Sequence, residues 1–111
     1  MDVEWIRAYA LSKPHASESF PFDEHTLVFK KGDKIFMLMA LDEFPLRINL
    51  KCDPEWAIEL RETYPDQILP GYHMNKKHWN TVIVDGKISQ RLLQRMIDES
   101  YDKVKARITK V

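Results

Sequence analysis

With 111 residues, 44% of them apolar and 31% charged, and with twelve aromatic side chains, the chain has the make-up of one globular domain, which excludes a disordered or collagen-like polymer. Seventeen Lys and Arg balance seventeen Asp and Glu, so no global positive field draws the protein toward nucleic acid or anionic lipid. Cys52 is the single cysteine, which excludes an intramolecular disulfide, and the longest apolar run, residues 35–41, is too short to span a bilayer.

The balance is uneven along the chain. Residues 1–85 hold ten basic and fourteen acidic side chains, and residues 86–111 hold seven basic and three acidic, so the C-terminal segment is locally cationic. Asp2, Glu4 and Arg7 interrupt the opening apolar residues, unlike a signal peptide; one domain over residues 1–111, in the cytoplasm and without membrane association, is expected.

In chain order, Asp2 suits the cap of a first helix in which Val3, Ile6 and Ala10 share a face and Trp5 and Tyr9 are neighbours at i, i+4. Pro14 disfavours helix at Lys13. After a loop through Phe20, Pro21 and Phe22, residues 26–30 read as a strand, Lys31-Gly32-Asp33 as a tight turn and residues 35–41 as a second strand. That strand is apolar throughout, which implies cover on both faces. Residues 46–51 alternate, with Leu46, Ile48 and Leu50 inward and Arg47, Asn49 and Lys51 together on the opposite face.

Asp53-Pro54 is a helix start, and Trp56, Leu60 and Tyr64 give that helix its apolar stripe before Pro65 closes it. A Pro70-Gly71 turn leads into residues 72–80, dense in aromatic and basic side chains, and residues 81–84 read as a strand. Asp85-Gly86 is a turn and Ser89 a cap for a last helix carrying Leu93, Met96, Ile97, Ser100, Tyr101 and Val104, with Lys103, Lys105 and Arg107 matched to its dipole. Helix, three strands, helix, strand, helix implies an α+β two-layer sandwich: an antiparallel sheet with helices packed on one side.

Several stretches gain meaning together: Phe20-Pro21-Phe22, Leu27-Val28-Phe29-Lys30, Asn49-Leu50-Lys51-Cys52-Asp53-Pro54, Pro70-Gly71-Tyr72-His73, Asn75-Lys76-Lys77-His78-Trp79-Asn80-Thr81 and Ser100-Tyr101. In this order and spacing they resemble the MmcQ/YjbR family over nearly the whole chain. The resemblance implies a fold similar to the CyaY/frataxin class, with hairpins in a double-wing arrangement proposed to bind DNA. Fold alone is a weak warrant for function. Iron handling of the frataxin kind relies on an acidic first helix, and only Asp2 and Glu4 are acidic here, so that function is not carried over.

The strongest local candidate is His73, Lys76, Lys77, His78, Trp79 and Asn80, which offers cations for phosphate, a ring for stacking and an amide able to meet a base edge. The plainer account has Trp79 packing and the lysines solvated on a turn. Arg47, Asn49 and Lys51 form a second polar row, which Lys30, Lys31 and Lys34 extend if the sheet face is open; the plainer account is a solvated face.

No cofactor or metal is expected. His73 and His78 are five residues apart, about 140° around a helix, which does not suit one-face ligation. Cys52 precedes a helix start that favours a thiolate, but adjacent Asp53 opposes it, and a buried cysteine is the expected reading. Two functions are therefore in view: a non-enzymatic protein gripping double-stranded DNA through the basic hairpin and residues 76–80, or a small interaction or ligand-binding module with a pocket around His73 and Trp79.

Overall fold

The protein is described by a computed structural model covering residues 2–71 and 74–105. The elements are α1 (Val3–Leu11), β1 (Ala16–Ser19), β2 (Thr26–Lys31), β3 (Lys34–Ala40), β4 (Leu46–Lys51), α2 (Pro54–Thr63), β5 (Ile68–Pro70), β6 (Trp79–Val84) and α3 (Gln90–Lys103).

Each helix begins where its sequence supplies an acceptor for free amides. The Asp2 carboxylate accepts from Trp5 N at 2.9 Å, Asp53 accepts from the amides of Glu55 and Trp56, and the Ser89 hydroxyl accepts from Leu92 N at 3.1 Å. Pro54 then occupies the first turn of α2, where a missing N–H leaves nothing unpaired. The buried stripes are Ile6 and Ala10 on α1, Ala57 and Leu60 on α2, and Leu93, Met96, Ile97 and Ser100 on α3.

Among the described residues six strands form one antiparallel sheet in the order β1-β2-β3-β4-β6-β5. Leu27, Phe29, Met37, Met39, Ile48, Leu50, Ile68 and Val82 join the stripes of all three helices in a single apolar cluster. The helices therefore cover one face, as the sequence pattern implies, and among the described residues no helix lies on the other face.

Two strands escape the sequence reading. β1 is four residues, Ala-Ser-Glu-Ser, and β5 is three; both lie at sheet edges, where half the ladder faces no neighbour and little apolar alternation is needed. Pro70 is tolerated at the end of an edge strand because no ladder bond is lost there. β6 begins at Trp79, two residues before the expected start.

The apolar run of residues 35–41 is covered on both faces in part, Leu38 and its register neighbour Val28 being buried on the face away from the helices, and a bulge adds a second cause. The register of β3 against β2 shifts between Phe29 and Lys30: Phe29 faces Met37 while Lys30 faces Ile35. Phe36 is the extra residue of a bulge, so Phe36 and Met37 both enter the cluster, and Leu38 and Ile35 are left to the open face.

Candidate functional site

The register sorts the charges. The β2–β3 hairpin tip (Lys31, Gly32, Asp33, Lys34), the end of β4 (Lys51), the turn before β6 (Lys76, Lys77) and the C-terminus of α3 (Lys103, Lys105) all fall at one end of the strands. The opposite end collects the loop between β1 and β2 (Asp23, Glu24), the loop between β3 and β4 (Asp42, Glu43), Asp85 after β6, and the α1 cap Asp2. The segregation is incomplete: Asp33, Asp53, Glu55, Glu99 and Asp102 lie at the lysine end, and His25 and Lys87 at the acidic end. A chain of zero net charge is thus polarised along its strands.

Lys34, Lys51, Lys103 and Lys105 converge on an open cleft of about 360 Å³ with Ile35 and Val104. Lys103 Nζ lies 3.5 Å from Asp53, and that contact joins the Trp56 amide in holding the Asp53 carboxyl below its ordinary value. Helix end, strand end and hairpin tip each bring one part of this cleft. Lys103 and Lys105, read from sequence as solvated helix-end charges, become neighbours of Lys34 and Lys51 through the docking of α3. The cationic bias of the C-terminal segment was the signal for them.

Lys76 and Lys77 are exposed on a turn fastened by the Asn75 side chain and by backbone bonds: Lys77 N donates to Asn75 Oδ1 at 3.0 Å, His78 N to Asn75 O at 3.1 Å, and Cys52 N to His78 O at 2.7 Å. Lys76 O accepts from Arg61 at 3.2 Å. His78 and Trp79 are half-buried. His73, the remaining member of this candidate group, lies outside the described residues.

Three of the candidate residues separate from the group. Asn80 is 2% exposed and turned into the helical layer, where its amide donates to Ala57 O at 3.4 Å, so the expected base-edge contact is corrected: it has no access to a surface ligand. Lys31 is also turned to the helix side. Its ammonium donates to Tyr101 O at 3.2 Å and sits 4.2 Å from the Tyr101 ring centroid, which commits it to α3. Lys30 points to the open face with Ile35 and Ser17 as register neighbours.

Arg47, Asn49 and Lys51 do share a face, as their alternation implies, but not one surface. Lys51 closes the lysine cleft. Arg47 and Asn49 instead line a concavity of about 470 Å³ on the open face, with Phe22, Ile35, Leu38, Ala40 and Met74 as apolar lining. Thr26, Glu43 and Thr81 also line it, and Thr81 Oγ1 donates to Asn49 Oδ1 at 2.5 Å. Among the described residues of the segment dense in basic and aromatic side chains, Met74 lines this concavity and Trp79 does not.

Cys52 is buried, and burial first, with the Glu99 carboxylate second, pushes its thiol up to about 12. Among the described residues no group of His, Cys, Asp and Glu is arranged to hold a metal ion, and no helix is long and apolar enough to cross a membrane.

A model of the YjbR family matches residues 11–103. The chain is 43% identical over 102 residues to the uncharacterised protein YbdF of Escherichia coli O157:H7, covering 91% of this chain and 82% of that protein. It is 32% identical over 101 residues to the uncharacterised protein YjbR of Escherichia coli K12, covering 91% and 85%. Among solved structures, protein DR2400 of Deinococcus radiodurans is similar with a TM-score of 0.86 at 45% identity, covering 89% of this chain and 75% of that one. A Pseudomonas syringae protein is similar at a TM-score of 0.75 and 26% identity, covering 92% and 97%. With the family pattern running from the end of α1 to the end of α3 and the same fold in its relatives, the chain belongs to the YjbR family.

Proposed function

We propose that the protein is a non-enzymatic binder of double-stranded nucleic acid that meets phosphates with its lysine-rich end. The observation that carries this reading is the gathering of Lys34, Lys51, Lys76, Lys77, Lys103 and Lys105 at one end of a neutral molecule. A local positive potential of this kind acts on a polyanion at short range even where the net charge is zero.

The topology adds a spacing. Two hairpins, β2–β3 and β5–β6, turn at the lysine end, and β4 lies between them in the sheet. Three strand spacings separate their centres, about 14 Å at the usual interval. A major groove is about 12 Å wide. Two basic tips so spaced fit the phosphate rows that border one groove, contacts that position a protein without reading sequence. Cys52, whose buried thiol is held protonated, does not offer a thiolate nucleophile.

The test is fluorescence anisotropy with a labelled duplex across a salt series, with a neutral protein of equal size as control. Binding is expected to weaken linearly in log salt, each phosphate contact adding about 0.9 to the slope. Lys76→Ala with Lys77→Ala, and separately Lys34→Ala with Lys51→Ala, are each expected to flatten the slope by up to about 2 while leaving the circular dichroism unchanged. No saturable binding at low salt removes the proposal; binding that survives both double variants moves it away from this end.

A further inference from the structure

We infer that the concavity on the open face of the sheet is a second binding site, for a small apolar molecule bearing a carboxylate. Its volume of about 470 Å³ falls in the range of ordinary small-ligand sites. It does not depend on the nucleic-acid reading, because the lysine cleft is a separate cavity, and among the described residues Ile35 is the single one common to both linings.

The floor is set by sheet register. Leu38 faces Asn49, Ala40 faces Arg47, and Asn49 faces Thr81, so an apolar column on β3 runs beside a polar column on β4 and β6. Phe22 rises from the β1–β2 loop and Met74 from the segment before β6 to make the walls. Phe22 is 66% exposed, a large apolar surface left in water unless something covers it.

The polar groups give the ligand its charge. Arg47 has no ion pair or side-chain hydrogen bond among the described residues. Its guanidinium is a rigid fork matched to a carboxylate. Asn49 uses its oxygen to accept from Thr81, which leaves its amide hydrogens as donors one pleat away on the same face. Glu43 stands in the β3–β4 loop at the rim and makes no ion pair with Arg47. A carboxylate between Arg47 and Asn49, with an apolar body over Leu38 and Ala40 and under Phe22, satisfies both donors and covers the ring.

Amide chemical shifts of the labelled protein followed during titration with hydrocinnamate, hydrocinnamyl alcohol and the matching amine test this site. Hydrocinnamate is expected to shift Leu38, Ala40, Asn49 and Thr81 saturably with a Kd on the order of 1 mM, as suits so small a ligand. The alcohol and the Arg47→Gln variant are each expected to bind about tenfold more weakly, the loss of a charge-assisted contact. Ala40→Phe fills the concavity from a strand position that accepts an aromatic residue, and is expected to abolish the shifts with the rest of the spectrum intact. The proposal is overturned if acid and alcohol bind alike, if the amine binds best, if Arg47→Gln changes nothing, or if no shift is seen. Shifts confined to the lysine end would also overturn it, without touching the nucleic-acid reading.

Discussion

Gly71 shows how one residue fixes the segment that leads to the lysine turn. A Cβ there would stand 2.8 Å from Trp79 Cβ and 3.0 Å from Trp79 O, so only glycine allows Gly71 N to reach Trp79 O at 2.9 Å. Gly71→Ala is expected to cost about 1–3 kcal/mol through overpacking, read as a lowered melting temperature. Cys52 makes a second single-residue case: a thiol held at about 12 by burial and Glu99 should react with a disulfide reagent at pH 8 only as fast as the protein opens. Rapid stoichiometric labelling of the folded protein would contradict its described state. Asn80 illustrates why residue identity alone misled: β6 starts at Trp79, and in a strand each successive side chain changes face, so Trp79 and Thr81 face out and Asn80 faces the helices.

At the scale of elements, Ser100 is the clip between layers. Its hydroxyl donates to Phe36 O on β3 and accepts from Lys51 N on β4 at 2.8 Å, which seats α3 against two strands and sets Lys103 and Lys105 beside Lys51. Ser100→Ala leaves the buried Phe36 O and the part-buried Lys51 N without that partner and is expected to cost about 2–3 kcal/mol in urea unfolding, whereas Ser89→Ala at the exposed cap should cost about 1 kcal/mol. Equal costs would contradict the clip. The three helices were legible because their signals are local: Asp2, Asp53 and Ser89 before amphipathic runs. β1 and β5 were not, because a polar four-residue strand and a three-residue strand exist only through their neighbours β2 and β6. The bulge at Phe36 was hidden for the same reason, being a property of two strands together.

For the whole molecule, charge and pH stability follow from the same layout. Asp23, Asp53 and Asp85 are held below the ordinary carboxylate value chiefly by backbone amides, and Asp98 by hydrogen bonds from Lys13 and Tyr9 against the opposing effect of burial. A depressed folded value gives stability that is present above the unfolded value and lost as pH falls, so the urea midpoint should hold down to about pH 4 and drop below it. Cys52 and Tyr9 are raised to about 12, both first by burial, from 9.0 and 10.0. Their contribution is complete below the unfolded values and should fade as pH rises from 9.0 toward 12. The polarity itself was only partly readable: sequence showed a cationic C-terminal segment, but it took the antiparallel register to bring a hairpin tip, a turn and a helix end together. The most direct measurement of that polarity at work is a map of amide shifts on adding a short duplex at low salt. The account predicts that Gly32, Lys34, Lys51, Lys77 and Lys105 move while Asp23, Asp42, Glu43 and Asp85 stay still; shifts centred on the acidic end, or spread evenly over both, would contradict it.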